Sequence, residues 1–342
     1  MTTKFLSLAS IALFAITSVS CSKSDLDPSP AVIIPPVVVG NTGDLKLFVI
    51  DTAKVNTITM IGTNETTILN RKVNSNSYIG SLSLNNDASK FVYVDNQGAF
   101  TNGAYTQSKT VRIANANGSG DILIYTAPAN TNSVSNDIGF VKYGTSKIYF
   151  TTTTQTFVGG AVSNLAKINS INFDGSGLLA ENYSGNPQEV YKSDITTDAK
   201  YLATFQSNPN IPRFLIFDRT GDNGAGSVIY QENLSTESAV GSGVVFSFDN
   251  KFAYFAFAEN QALKVRVINM ATLTAETKTI ASNFTPTSFS MTVSVGSDNN
   301  RGVLTVQTFD NAPSKSYVFN LTAGSSTNFN NNDNTIYTLK AF

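Results

Sequence analysis

The sequence has no histidine and no tryptophan, one cysteine, and charged residues at only 14% of its 342 positions. Each shortage closes off chemistry. Without histidine there is no Ser-His-Asp or Cys-His nucleophile system and no histidine-ligated metal site. The side chain that exchanges protons most readily near neutral pH is also missing. Catalysis by carboxylates, lysine or tyrosine stays open. A single cysteine cannot form a disulfide within the chain, so stability must come from packing and sheet pairing. Charge lies well below the usual level of about a quarter, and Asn, Ser, Thr and Gly take its place. The formal net charge is −1 and there is no basic stripe, so nucleic-acid binding lacks its electrostatic footprint.

The N-terminal residues carry an address. Lys4 precedes an apolar segment from Phe5 to Val19, and small residues follow up to Cys21. The run is too short for a transmembrane helix and fits a secretory signal over residues 1–21. Cys21 followed by Ser22-Lys23-Ser24-Asp25 resembles a bacterial lipoprotein cleavage site. The resemblance implies that Cys21 becomes the lipid-modified first residue of the mature protein. The membrane is then a partner through that anchor, in the bacterial cell envelope. Ser22 fits sorting to the outer membrane, facing either the periplasm or the cell surface. Residues 22–43 read as a tether, because Pro28, Pro30, Pro35 and Pro36 favour extended backbone. Val37–Val39 could add an edge strand. The folded domain is expected over residues 44–342.

From there the chain reads as strands and turns, with no helical period. A phrase recurs: Asp87-Ala88-Ser89-Lys90-Phe91-Val92-Tyr93-Val94, then Asp198-Ala199-Lys200-Tyr201-Leu202-Ala203-Thr204-Phe205, then Asp249-Asn250-Lys251-Phe252-Ala253-Tyr254-Phe255. Each is a tight polar turn followed by an apolar, aromatic run. Ile138–Val141 with Ile148–Thr152, and Phe289–Val295 with Gly302–Thr308, are looser versions. A second kind of hairpin has a small or acidic turn after a strand. Examples are Asn115-Ala116-Asn117-Gly118-Ser119-Gly120 and Asn172-Phe173-Asp174-Gly175-Ser176-Gly177. Phe214–Asp218 with Val228–Gln231, Val265–Asn269 with Glu276–Ile280, Tyr317–Leu321 with Thr335–Leu339, and Leu45–Asp51 with Thr57–Ile61 complete this set. Asp198 and Asp249 are 51 positions apart. Four strands per roughly 50 residues is the arithmetic of a β-propeller blade. The first hairpin occurs five times and the second six times. The expected fold is therefore an all-β propeller of six four-stranded blades, one of them completed by strands from both ends of the chain. Seven blades is the alternative.

The alternation of an Asn-Gly-Ser-Gly or Asp-Gly-Ser-Gly turn with a Phe-Asp-Asn-Lys or Thr-Asp-Ala-Lys turn, over residues 80–320, resembles the WD40-like repeats of TolB-type propellers. The resemblance implies an interaction platform in the envelope. The Asp and Lys of the repeated turns recur once per unit, so they are turn formers rather than a site.

In an up-and-down blade, the turns between the first two and the last two strands share one end. The remaining connections share the other. The longer segments fall in the second set: Gly62–Gly80, Asn96–Lys109, Ala127–Asp137, Thr153–Lys167, Gly185–Asp194 and Asn233–Gly241. This long-loop end is the candidate binding face, with Phe100, Tyr105 and Phe157 as candidate ligand-binding aromatics. Asp218-Arg219-Thr220-Gly221-Asp222-Asn223-Gly224 resembles half of a calcium loop but lacks the following Glu. It reads as a long hairpin turn. Asp218 and Asp222 are the only candidate metal ligands, and calcium is the only cofactor left open. The Asn-rich tract Asn328–Asn334 reads as a hairpin loop. Glu189 with Asp194, and Glu237 with Glu259, are the carboxylate pairs nearest the long-loop end. The expectation is a non-catalytic binding or scaffold protein for a protein, peptide or glycan. The alternative is a carboxylate-based propeller hydrolase or lyase.

Overall fold

A computed structural model describes residues 46–59, 65–101, 104–207, 212–220, 226–234, 239–285, 289–308, 315–329 and 337–341. They form six four-stranded antiparallel sheets arranged as a six-bladed β-propeller. Blade 1 joins β24 (Tyr337–Ala341) to β1 (Lys46–Asp51), β2 (Lys54–Thr59) and β3 (Thr66–Asn70). Blade 2 holds β4 (Ser77–Leu84), β5 (Lys90–Thr101), β6 (Ala104–Asn115) and β7 (Ile122–Thr126). Blade 3 holds β8 (Val134–Tyr143), β9 (Ile148–Val158), β10 (Ala161–Ile171) and β11 (Leu179–Asn182). A 3-10 helix (Pro187–Lys192) leads into blade 4, which holds β12 (Asp194–Ile195), β13 (Tyr201–Ser207), β14 (Pro212–Asp218) and β15 (Ser227–Asn233). Blade 5 holds β16 (Ala239–Phe246), β17 (Phe252–Glu259), β18 (Ala262–Asn269) and β19 (Ala275–Ser282). Blade 6 holds β20 (Phe289–Val295), β21 (Arg301–Thr308), β22 (Lys315–Asn320) and β23 (Ser325–Phe329). The first strand of each blade lies at the axis, where β4 meets β8, β12 meets β16, β16 meets β20, and β20 meets β24.

The recurring apolar phrases are the second strands, and they read as unbroken runs because both of their faces are buried. Residues 91–96, 202–205, 253–258 and 302–306 are buried throughout. On β17 the alternation separates the two contacts. Ala253, Phe255 and Phe257 pack on blade 4, with the Phe214 ring 4.4 Å from that of Phe255. Tyr254, Ala256 and Ala258 pack on blade 6. On β5, Phe91 and Tyr93 face blade 1 while Val92 and Val94 face blade 3. Every core cluster among the described residues lies between two consecutive blades.

The two turn families are built by side-chain caps. In the first, the Oδ1 atoms of Asp87, Asp198, Asp249 and Asp298 accept the backbone N–H two residues on. The residue between is left-handed: Ala88, Ala199, Asn250 and Asn299 have φ of 49°, 59°, 60° and 56°. These turns also link blades. Thr145 N–H donates to the Thr197 carbonyl at 2.9 Å, and Thr197 N–H donates to Asn250 Oδ1 at 2.9 Å. Asn299 Nδ2 donates to Asp249 Oδ2 at 2.9 Å. In the second family, Asn117 and Asp174 cap Ser119 and Ser176 in the same manner. Gly118 has φ of 79°, and a Cβ there would sit 1.7 Å from the Ile68 carbonyl oxygen of blade 1. Glycine is required both for the turn and for that close approach.

Four details differ from the sequence reading. The hairpin read over Leu45–Asp51 with Thr57–Ile61 is described as β1 with β2, and these are the second and third strands of blade 1 because β24 supplies the innermost one. This is also why the first kind of hairpin occurs five times: the sixth junction falls between the two ends of the chain. The partner of β22 is β23, inside a Ser- and Asn-rich stretch, whereas residues 337–341 pair with β1. Gly62–Gly80 contains β3 and the start of β4. Asn96–Lys109 and Thr153–Lys167 are continuous ladders rather than loops, with pairing that runs to Thr101↔Ala104 and Val158↔Ala161.

The turn carboxylates make an acid prediction. Bonds from Ser89, Ser176 and Thr220 hold Asp87, Asp174 and Asp218 below the usual carboxylate range. Such groups contribute stability that is complete above the unfolded value near about 3.9 and lost as pH falls through the folded one. Asp87→Asn/Asp174→Asn/Asp218→Asn keeps the acceptor, as Asn117 does naturally. The triple variant is expected to fold and to have a flatter decline of urea midpoint between about pH 5 and pH 2.

Candidate functional site

The long-loop end is uneven, and two blades project from it. The β5–β6 ladder of blade 2 pairs over all twelve residues of each strand. In blade 3, β8, β9 and β10 extend together, with Val134 paired to Thr156 and Phe157 paired to Val162. By contrast, β17 and β18 of blade 5 are eight residues each and end sooner, at the turn Asn260-Gln261. The projecting part of blade 3 has little to pack against. Phe157, Val158, Val162 and Leu165 are 42%, 68%, 54% and 55% exposed. Phe157 and Val162 share one face of the ladder, and Val158 and Leu165 lie on the other, by the alternation of the strands.

Of the three sequence candidates, Phe157 is therefore an exposed aromatic on the rim. Phe100 and Tyr105 pair backbone to backbone near the tip of the blade 2 ladder. Asp218 Oδ1 accepts from both the N–H and the hydroxyl of Thr220, at 2.9 and 2.6 Å, and so closes its own turn. Asp222, Cys21, the tether and Glu237 lie outside the described residues. No trio of metal-binding side chains occurs among the described residues, and no described helix is long and apolar enough to cross a membrane.

Inside the ring, the axial strands enclose a chamber of about 290 Å³. Its lining includes Ser81 and Ser83 of β4, Lys142 of β8, Tyr191 and Ser193 from the approach to blade 4, and Thr292 and Ser294 of β20. Lys142 Nζ donates to Asp194 Oδ2 at 2.9 Å, and both side chains are about nine-tenths buried. The same oxygen accepts the Phe246 N–H at 2.8 Å. Asp194 thereby ties blade 4 to blades 3 and 5 at the axis. Ser81 and Ser83 do the same for blades 2 and 3, by accepting the N–H groups of Val141 and Tyr143 at 3.3 and 3.0 Å.

Tyr191 stands between rim and chamber. It is 53% exposed, and its hydroxyl donates to Asp137, which also pairs with the buried Lys109 of β6. Partial burial, the Asp137 carboxylate and the neighbouring Tyr78 push the phenol well above its ordinary range, so it stays a hydrogen-bond donor.

Of the carboxylate pairs read from sequence, Glu189 and Asp194 do not converge on the chamber, and the partner read for Glu259, Glu237, lies outside the described residues. Glu189 pairs with Lys192 at 3.4 Å and does not line the chamber. Glu259 pairs with Lys264 at 2.8 Å. Asp194 is the one carboxylate in the described lining, and its charge is already balanced. The acid and base pair of glycosidic chemistry is therefore not formed there by the described residues. Sequence reasoning placed Asp194 near this end but missed Lys142. The available signal was a lysine inside the apolar stretch Gly139-Phe140-Val141-Lys142-Tyr143.

No protein-family model matches the sequence, and no curated protein matches it. Solved structures do. A chain of the nidogen/laminin complex is 12% identical with a TM-score of 0.53, covering 87% of this chain and 98% of that one. A protein of unknown function from Bacteroides caccae is 8% identical with a TM-score of 0.50, over 87% of this chain and 99% of that one. TolB from Acinetobacter baumannii is 16% identical with a TM-score of 0.44, over 79% of this chain and 62% of TolB. The first two agree with the propeller fold, and at these identities the agreement is one of fold alone.

The axial ion pair predicts a specific stability defect. Asp194→Asn leaves Lys142 buried without a counter-charge and is expected to cost about 3 kcal/mol in chemical denaturation. Lys142→Met combined with Asp194→Leu is expected to recover most of that loss. A neutral Asp194→Asn variant would remove the pair from the account of the axis.

Proposed function

We propose that this chain is a non-catalytic, envelope-anchored binding protein that presents the long-loop end of its propeller to a protein partner. The observation that carries the reading is the projecting blade 3 ladder with Phe157, Val158, Val162 and Leu165 exposed on it. Exposed apolar side chains grouped on a rigid projection are the usual material of an interface core. Three of the four are aliphatic, which favours a protein or peptide surface over a glycan at the rim. The charge-paired Asp194 and the lack of histidine count against the alternative of a carboxylate-based enzyme. Lipidation at Cys21, followed by a tether over residues 22–43, would anchor the chain to an envelope membrane, most simply the outer one.

The test is photo-crosslinking in the native host. A photoreactive residue is placed at Val158 of the full chain. A discrete crosslinked protein is expected, lost when Leu165→Ser, on the face of Val158, and Val162→Ser, on the other face, are added. No adduct, or the same adduct in the double variant, would overturn the rim as an interface. In the same cells Cys21→Ser is expected to move the protein from the membrane to the soluble fraction.

A further inference from the structure

We propose that the axial chamber is a binding site for a single neutral sugar ring. The inference goes beyond the reading of the rim and does not depend on it, since it concerns the inner strands rather than the projecting ladder.

The chamber presents donors and acceptors that the described residues do not use up. Lys142 Nζ has three protons and, among the described residues, gives one, to Asp194 Oδ2. Asp194 Oδ2 is filled by Lys142 and the Phe246 N–H, while no described residue donates to Oδ1. Among the described residues, a donor and an acceptor are thus left over side by side on one ion pair. That arrangement matches two adjacent ring hydroxyls, one accepting from Lys142 and one donating to Asp194. Ser81 and Ser83 add direction. Their oxygens accept backbone N–H groups from β8, and their own protons have no acceptor among the described residues.

Charge, size and shape narrow the ligand class. Lys142 and Asp194 are the only charged residues in the described lining, so the chamber is neutral as a unit. A phosphate or carboxylate ligand would leave Asp194 facing a like charge, and a cation would do the same to Lys142; burying either without a counter-charge is costly. Hydroxyl groups both donate and accept and carry no such penalty. The volume of about 290 Å³ lies just below the usual range of small-molecule pockets, roughly 300–1,000 Å³. That suits one ring rather than a peptide. At the mouth, the Tyr191 hydroxyl is held by Asp137, which fixes the ring while leaving half of the residue exposed. A fixed aromatic face is the surface on which the C–H groups of a sugar ring stack.

The experiment is saturation-transfer NMR and titration of the full chain in detergent with glucose, galactose, mannose and N-acetylglucosamine. Free glycine serves as the zwitterionic control. At least one sugar is expected to bind in the millimolar range. Ser83→Ala is expected to weaken it about 3- to 10-fold, the range of one hydrogen bond. Tyr191→Leu is expected to weaken it at least as much, and Tyr191→Phe much less. Phe157→Ser is expected to leave binding unchanged, which separates this site from the rim. Circular dichroism melts check that each variant is folded. Failure of all four sugars to bind, binding indifferent to Ser83→Ala and Tyr191→Leu, or glycine competing as well as the sugars would each overturn the proposal.

Discussion

Among the described residues, no blade has a core of its own: each core cluster lies between the facing sheets of two consecutive blades. Phe255 and Tyr254 are adjacent in sequence yet belong to cores on opposite sides of the same sheet. A stack built on this rule has two uncovered faces unless it bends into a ring and closes. Closure here is made by β24, which pairs with β1 from Leu47↔Ala341 to Asp51↔Tyr337. The chain therefore uses its last described strand to complete its first sheet. The axial chamber, bounded by the innermost strands, exists only as a consequence of that closure.

The same constraint explains where ionic and polar groups lie. Lys109 with Asp137, Lys142 with Asp194, Arg219 with Glu181, and Arg266 with Glu232 each join one blade to the next. In a chain with so few charges, four of the ion pairs are thus spent on ties between neighbouring sheets. The short-turn end is fixed in addition by the linked Asp and Asn turns. Variation is left to the opposite end, where the ladders of blades 2 and 3 run to twelve and eleven residues while that of blade 5 stops at eight. A regular ring with one irregular rim is a scaffold on which recognition can change without disturbing the fold.

The architecture was legible because its strongest physical demand, burial on two faces, writes a strong local pattern. Phe91–Val94 and Phe252–Phe257 show it plainly, and their spacing carries the blade count. The projecting ladders were not legible as strands. In Thr151–Thr156, Thr151 and Thr153 are buried while Thr152, Thr154, Gln155 and Thr156 are half-buried, and threonine stands in both environments, so composition gave no period to read. The β23 strand was hidden for a related reason, since an outermost strand needs only one apolar face and this one is mostly Ser, Thr and Asn. The axial pair was hidden by distance. Lys142 and Asp194 are 52 positions apart, and only the blade period brings them together. Once that period is known, a charge inside an innermost strand is the signal to look for one period away.

The central claim is that blades are stable through their neighbours and not singly. Hydrogen–deuterium exchange on the chain lacking residues 337–342 tests it most directly. The account predicts lost protection on both sides of the gap, in β1 and β2 of blade 1 and in β20 and β21 of blade 6. Loss confined to residues 46–51, with β20 and β21 protected as in the intact chain, would contradict it.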